Sequence, residues 1–543
     1  MLFEKGKTEM NFQEKLKTWP REQIWNEYCG YLNLSIDSYM YIQNRLMLEQ
    51  IHRWKNSPLG QQLLNGKNPV SIDEFRNMMP LTDYFDYAEK LLKKDKTSLP
   101  DDPAVWIQTT WEGGIRPIKL APYSRNMLDV YRHNMLSVAL LSSSHGNEDF
   151  DLQAGDRVLY GGAPLPYATG LIPSLLNEEM KLEWLPDAND TGRGFSDRIK
   201  EGFRMGQTGG IDYFFGIGSV ANYITDHFSK STGSGQHKTN VSPAIALRYF
   251  KAKIQSKKSG KPICPGDIFH LKGLISAGTD AACYRKKLEK SWGAVPMEIA
   301  AGTESTCIGC ETWQHRGMVF FPDAAFYEFI SESELRREIE NPDYTPRTCL
   351  MNEIAEGQNY ELVLSIFHGG AFMRYRIGDM YHCVSAKPNE LPHISFLDRC
   401  RNVIDIAGFT RITEDSVNQA IKLSGLKIGE WFAKKEYNTD GIPFLHMYLE
   451  MAENQPLSES LCINTLSEHL SVYFKYFDSD YSDLEKLLGI DPLEITVLKQ
   501  GTIRAWESSS GRKLLRINPD MLDAADIVAL QARMDCIHGG SLK

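Results

Sequence analysis

The sequence contains no apolar run of the roughly 18 residues that a membrane-spanning helix requires. Its opening stretch, "MLFEKGKTEMNFQEKLKTW", is charged throughout and so lacks the apolar core of a secretory leader. Positive charge is not in excess either: 60 Lys and Arg face 70 Asp and Glu, a net charge of −10. That balance argues against nucleic acid or an anionic membrane as the main partner. A second CxxC pair is missing as well. The ten cysteines are scattered, apart from Cys307 and Cys310 in "CIGC". With His315 that pair would supply three zinc ligands, but a structural site normally needs a fourth. Free buried thiols are the simpler reading. Internal repeats and long low-complexity segments are also absent. The expectation is a cytoplasmic, monomeric protein that engages neither membrane nor nucleic acid.

What is present is the composition of a globular protein, with 42% hydrophobic and 24% charged residues. A chain of 543 residues is too long for one ordinary core and predicts at least two domains. Up to about residue 100 the pattern is helical. "DSYMYIQNRLMLEQIHRW" places apolar residues three and four apart, and Ser71 with Glu74 suggests a capping box. Beyond this point short apolar runs ("RVLYGG", "DYFFGIG", "DIFHLKGLISAG", "YELVLSIF") alternate with helical segments such as "NMLDVYRHNMLSVALLSS" and "DAACYRKKLEKSW". The alternation predicts an α/β architecture with a partly parallel sheet. A small α+β domain follows, with "PFLHMYLEM" as a strand and "SESLCINTLSEHLSVYF" as a helix. The boundary falls near Arg399 to Arg401, giving domains 1–399 and 400–543. The Pro-, Gly- and Ser-containing segments 255–266 and 506–512 read as surface loops.

Five features could carry chemistry. "QTTWEGGIRPIKLAP" (108–122) has the glycines and hydroxyls of a loop that wraps phosphates. Alone, a plain Gly-Gly turn between strands accounts for it. In "AAGTEST" (300–306) a glycine turn at Gly302 precedes Thr303 and Glu304, and Glu304 offers the hard oxygen that Mg²⁺ prefers; a solvated turn is the alternative. Asp379 in "MRYRIGDMYHC" follows a glycine after a short strand. There it could accept both hydroxyls of a ribose, or merely sit in a Gly-Asp hairpin turn. Arg399 lies at the domain boundary, and Lys513 in "SSGRKLLRINP" occupies a basic stretch near the end.

Taken in this order, the five resemble the motifs of the adenylate-forming superfamily. Within it, "FFPDAAFYEFI", "EGQNYELVLSIFHGGAFMRYRIGDMYHC" and "ISFLDRCRN" resemble the Gretchen Hagen family of acyl acid amido synthetases. The tail "FDSDYSDLEKLLGIDPLEITVLKQGTIRAW" is similar to that family's C-terminal domain. The resemblance covers about residues 100–520 and is most specific over 320–402.

It implies a large N-terminal adenylation domain, with β-sheets flanked by helices, holding the acyl substrate and ATP. A small mobile α+β domain would carry the late lysine. Thr109, Thr110, Gly113, Gly114, Gly302 and Thr303 would line ATP, Glu304 would lie near Mg²⁺, and Asp379 would hold the ribose. Arg399 would support it, Lys513 would be the catalytic lysine, and residues around Arg401 would form the hinge. ATP and Mg²⁺ are the implied cofactors. The implied partners are a small-molecule carboxylic acid and an amine, often an amino acid.

The physical chemistry agrees with this. A carboxylate is a poor electrophile, and activation as an acyl-adenylate supplies AMP as leaving group. The protein must then chiefly position reactants and neutralise charge on the α-phosphate. Tyr160, Tyr167, Phe214 and Phe215 are the candidate lining for an apolar acid, each of them equally an ordinary core aromatic. Three positions depart from the family pattern: Trp111 replaces a glycine, Glu112 stands near an expected hydroxyl, and Ala300 replaces the tyrosine that stacks on adenine. Two rivals follow: an acyl-CoA ligase of the phenylacetate–CoA ligase type, and a non-catalytic ligand-binding protein on the same fold.

Overall fold

The computed structural model describes residues 10–109, 118–187, 195–233, 241–341, 343–399, 403–407, 410–452, 463–477, 491–519 and 521–539. The chain divides into two units. The first comprises Met1–Thr109, Lys119–Ala277 and Tyr284–Asp398; the second takes in Arg399–Lys543 together with Thr110–Ile118 and Gly278–Cys283.

The first unit opens with helices, as the periodicity predicts. Ile36–Trp54 buries Tyr39, Met40, Leu46, Met47, Ile51 and Trp54 on one face. Two buried amides on that face fix its docking. Gln43 Nε2 donates to the carbonyls of Pro322 (2.5 Å) and Ala325 (2.7 Å), and Gln50 Nε2 to that of Gly370 (2.9 Å). Their seven-residue spacing is two helical turns, so both reach the same surface. Half of the expected capping box forms. Ser71 Oγ accepts from the Glu74 N–H (3.2 Å), whereas the Glu74 carboxylate bonds Val70 N–H (2.9 Å), one residue earlier than the box requires.

A two-stranded pair, β1 (Pro103–Gln108) and β2 (Leu120–Ser124), precedes the main sheet. Among the described residues that sheet has twelve strands. Its first part consists of β3 (Arg157–Gly161), β4 (Glu183–Leu185), β5 (Tyr213–Ile217), β6 (Gly273–Ala277) and β7 (Met297–Gly302). These lie in the order β4-β3-β5-β6-β7 and pair parallel, with helices as crossovers. The remainder is β8 (Thr306–Glu311), β9 (Met318–Phe320), β10 (Ala325–Ser331), β11 (Thr348–Leu350), β12 (Asn359–Ile366), β13 (Tyr375–Ser385) and β14 (His393–Arg399). Here β7–β8, β8–β9, β10–β11, β10–β12 and β12–β13 are antiparallel. The β7–β8 hairpin is therefore the seam where the sheet changes sense.

Three expectations are corrected. Of "DIFHLKGLISAG" only Gly273–Ala277 is a strand; Ile268 and Phe269 precede it as buried packing residues. Residues 255–259 continue the helix Pro243–Ser259, which stops where Gly260 adopts φ 71°. Residues 506–510 belong to the helix Thr502–Ser510, capped by Gly511 at φ 68°. Each glycine was read as loop material and is a left-handed C-cap instead.

In the second unit β15 (Val403–Ile406) pairs with β16 (Thr410–Thr413), and a separate sheet has the order β17 (Ile428–Tyr437), β18 (Pro443–Met451), β19 (Leu493–Leu498). The helices Glu414–Ser424 and Ile463–Phe477 cover one face through Val417, Ala420, Leu466, Leu470 and Phe474. Gly278–Cys283 joins this unit through Asp280, which is only 2% exposed. Its carboxylate receives Lys435 Nζ (2.6 Å), Tyr437 Oη (2.9 Å) and the Ala407 N–H (2.6 Å). Burial pushes the Asp280 carboxyl above its ordinary range, and Lys435 and Tyr437 oppose that shift in part.

Where β3 and β5 pair, Gly161 faces Gly216, and a Cβ on Gly216 would meet Gly161 Cα at 2.6 Å. The intruding contact is with backbone, which cannot rotate away. Gly216→Ala is expected to cost about 1–3 kcal/mol through overpacking; chemical denaturation would read this as a lowered midpoint at unchanged slope.

Candidate active site

Between β7 and β8 the chain reverses over Thr303, Glu304 and Ser305. Thr306, a β-branched residue, takes φ 61° as it leaves the turn, a conformation costing about 1–3 kcal/mol. Such strain persists only where surroundings enforce it, and here they do. The Thr303 carbonyl accepts from Tyr123 Oη (2.6 Å). The Glu304 carboxylate is 7% exposed and accepts from Tyr375 Oη (3.1 Å). Lys119 Nζ lies 3.9 Å from the same oxygen, Oε1. Burial, and next the Glu304 charge, push the phenols of both Tyr123 and Tyr375 upward, so both stay protonated donors at neutral pH.

Lys119 is held from its backbone. Its N–H donates to Thr109 Oγ1 (3.0 Å) and its carbonyl accepts from the Thr109 N–H (3.0 Å). This reciprocal pair closes the neck of the loop that the sequence singled out. Thr109 is buried at that neck, and the Lys119 ammonium lies 5.9 Å over the Tyr84 ring. Thr110, Gly113 and Gly114, like Trp111 and Glu112, lie outside the described residues, as does Arg401.

Gly302 ends β7 in tight quarters: a Cβ there would meet Ser305 Oγ at 3.0 Å and Ile377 Cδ1 at 3.3 Å. Asp379 is neither at the end of a short strand nor in a hairpin turn. It lies within the long strand β13 at a bulge. Glu361 pairs with Met380 and Val363 with Arg376, so Leu362 alone faces Ile377, Gly378 and Asp379. Gly378 supplies the φ of 81° that the bulge demands. Bulges of this kind re-aim a side chain, here the carboxylate of a Gly-Asp pair.

The four aromatics separate. Tyr160 and Phe215, paired across β3 and β5, pack edge-on at 5.8 Å, with Trp184 5.3 Å from Tyr160. Tyr160 Oη donates to the Thr169 carbonyl. Phe214 points through the opposite face of the sheet, 6.0 Å from Trp292 in a separate core, because neighbouring strand residues alternate. Tyr167 is half-buried beside Gln108, whose N–H bonds the Pro166 carbonyl (3.0 Å).

In the second unit Arg399 Nε lies 3.8 Å from Asp405 Oδ2, and Arg411 Nε lies 3.5 Å from the same oxygen. Burial pulls the Arg411 guanidinium down to about 10. Lys513 is exposed. The strand-like segment after it is fixed by Arg516, which bonds Glu430 (2.7 Å) and the Trp431 carbonyl (3.2 Å), and by Asn518 N–H to the Ala433 carbonyl (2.8 Å).

Sequence reasoning gave no role to Lys119, Tyr123 or Tyr375. Two of these had a signal: Lys119 opens the Lys-x-x-Pro exit of the loop, and Tyr375 opens "YRIGD". Among the described residues no group of three or more His, Cys, Asp or Glu is placed to hold a metal, the "CIGC" cysteines included. Mg²⁺ needs no such group, since one or two carboxylates plus substrate phosphates suffice, and Glu304 suits that donor set.

The neck pairing makes a structural prediction. Thr109→Val removes the acceptor of the Lys119 N–H, so hydrogen exchange at Lys119 should accelerate by about tenfold or more, while Thr109→Ser retains the protection.

Comparison with known proteins bears on residues 318–399 and on the fold. Residues 318–399 match the GH3 family central domain. A jasmonoyl–L-amino acid synthetase, GH3.5, from Oryza sativa subsp. japonica is 25% identical over 195 residues, which are 34% of this chain and 32% of that protein. The chain thus spans about a third of the length of this curated relative. The structure of the acyl acid amido synthetase AtGH3.15 in complex with 2,4-DB superimposes with a TM-score of 0.51 at 16% identity, covering 94% of this chain and 96% of that one. A 2-hydroxyisobutyryl-CoA ligase, in complex with 2-HIB-AMP and CoA, gives 0.54 at 14% identity, covering 86% and 88%. Residues 318–399 thus resemble the central domain of the GH3 family, and the chain shares its overall fold with an acyl acid amido synthetase and an acyl-CoA ligase.

Proposed function

We propose that the protein is an ATP-dependent ligase that activates a carboxylic acid as its acyl-adenylate and transfers the acyl group to an amine. The observation that carries this reading is the buried Glu304 on its strained turn, met by Tyr375 and approached by Lys119.

In the first half-reaction a carboxylate oxygen of the acid attacks the α-phosphorus of ATP, and the bond to pyrophosphate breaks. Lys119 is a cation for the phosphates and Asp379 an acceptor for the ribose hydroxyls. Glu304 would hold Mg²⁺, which supplies charge neutralisation on the phosphate oxygens when bound. Tyr375 keeps the Glu304 carboxylate aimed. Thr109, Gly302 and Thr303 line the nucleotide, joined by Thr110, Gly113 and Gly114 of the loop. In the second half-reaction the amine nitrogen attacks the acyl carbon, AMP leaves, and the nitrogen loses its proton.

Lys513 acts on the α-phosphate only in the first half-reaction, with Arg399 and the segment at Arg401 as the pivot. A lysine on a separate unit can be withdrawn before the amine enters. The domain division at 399/400 assigns the acid and ATP to the first domain and this lysine to the second. The acid is apolar. Tyr167, half-buried, has surface to offer it, and Tyr160 and Phe215 form the backing.

The likeness to a CoA ligase favours one competing acceptor, the thiol of coenzyme A. A panel of aromatic and aliphatic acids against amino acids and coenzyme A, followed by pyrophosphate release and mass spectrometry, tests the reading. Turnover that needs the amine and ignores coenzyme A supports it; a thioester product overturns the acceptor, and failure to bind ATP in calorimetry overturns the whole reading.

Two variants grade the site. Lys513→Ala should abolish acid-dependent pyrophosphate exchange while leaving the melting temperature unchanged. Tyr375→Phe, which loses one hydrogen bond to a carboxylate worth about 1.5–3 kcal/mol, should slow that exchange by roughly 10- to 100-fold.

A further inference from the structure

The helix Pro243–Ser259 has two apolar faces, and the core uses only one. Ile245 and Ala252 are buried, with Tyr249 packed beside them, and Arg248 Nη1 ties the helix to the Ile268 carbonyl (3.1 Å). On the outer side Leu247, Phe250 and Ile254 are 53%, 63% and 42% exposed. Their spacing of three and four residues stacks them into one ridge along the helix. At 100° per residue, Lys251 and Lys258 flank the ridge on one side and Lys253 and Lys257 on the other, and all four are exposed. From Pro243 to Lys261 there is no acidic residue. In a chain of net charge −10 this is a local inversion of sign.

Lysines on both flanks repel a second copy laid along the same ridge, so self-association is disfavoured. A convex ridge between cations also suits a deformable, negatively charged surface better than a rigid groove. The apolar side chains can enter a headgroup layer while the lysine stems lie along it and their ammonium groups meet the phosphates. The net negative charge does not forbid this, because at physiological salt charges are felt over only about 8 Å. The expectation of no membrane partner came from the whole-chain sum, which averages this patch away.

We propose that the helix Pro243–Ser259 is a docking face for an anionic lipid surface, holding the protein peripherally at a bilayer. The inference is independent of the reaction above. None of these side chains belongs to the candidate active site.

Co-sedimentation of the full chain with sucrose-loaded vesicles tests it, comparing phosphatidylcholine alone with mixtures containing about one-third phosphatidylserine. Binding should be roughly tenfold stronger to the mixture and should fall in high salt. The variant Leu247→Ser/Phe250→Ser/Ile254→Ser should lose binding to both, and Lys251→Ser/Lys257→Ser/Lys258→Ser should lose the preference for phosphatidylserine. All six side chains are exposed, so the melting temperature should hold; Phe250→Ser alone serves if the triple variant does not fold. Four results would each overturn the proposal: no binding to the serine-containing vesicles, binding unchanged in the apolar variants, equal binding to soluble polyglutamate, or a dimer in light scattering that the apolar variants dissolve.

Discussion

A carboxylate removed from water has to be met by donors, and in this protein that requirement organises the first unit. Glu304 occupies the turn where a parallel sheet becomes antiparallel. Its partners come from distant elements: Tyr375 from the start of β13, and Lys119 from the residue before β2. Each partner is fixed by something else. Lys119 is fixed by the Thr109 neck, and Tyr375 by packing between Tyr87 and Phe372, whose ring centroids lie 6.1 and 4.7 Å away. The strained Thr306 is tolerable because Tyr123 holds the turn from the other side at Thr303. None of these contacts would be stable alone, and removing one donor leaves a buried charge with fewer partners.

The segment "MRYRIGD" illustrates how structure apportions a motif. Arg374 donates to Glu328 and to the carbonyls of Arg76 and Met79, deep in the unit. Arg376 bridges Glu361 (2.6 Å) and Glu338 (2.6 Å), which hold its guanidinium far above its ordinary range against the cost of burial. Both arginines are thereby committed to holding β13 against its surroundings. Tyr375 is committed to Glu304. Beyond these anchors the bulge at Gly378 takes Asp379 out of the strand's regular alternation.

Much of the fold was legible because periodicity reports burial directly. "PFLHMYLEM" is β18 residue for residue, and the helices Ile36–Trp54 and Arg125–Ser142 fall where the three- and four-residue spacing puts them. The errors have physical causes. Gly260 and Gly511 read as loop because glycine breaks helices, yet a left-handed glycine is also how a helix ends. The bulge at Asp379 was invisible because it is defined by a partner strand's register and not by the residues that form it. Phe214 and Phe215 were grouped by their aromatic character, although adjacency in a strand sends them to opposite cores. Lys119 had no role because a lysine is normally solvated, and only folding brings it to Glu304.

The same limit applies to charge. A net value is a statement about long-range steering, whereas binding is decided within a Debye length of the contact. The first unit contains both signs in concentrated form: a buried carboxylate beside a lysine at the β7–β8 turn, and a helix whose outer face is wholly cationic where it is charged. One concentration is largely enclosed, with the carboxylate more deeply buried than the lysine beside it. That arrangement places opposite charges side by side, so the buried carboxylate does not stand without a cation nearby. The other concentration is exposed, and with no internal acid beside it its charge can be answered only from outside the helix.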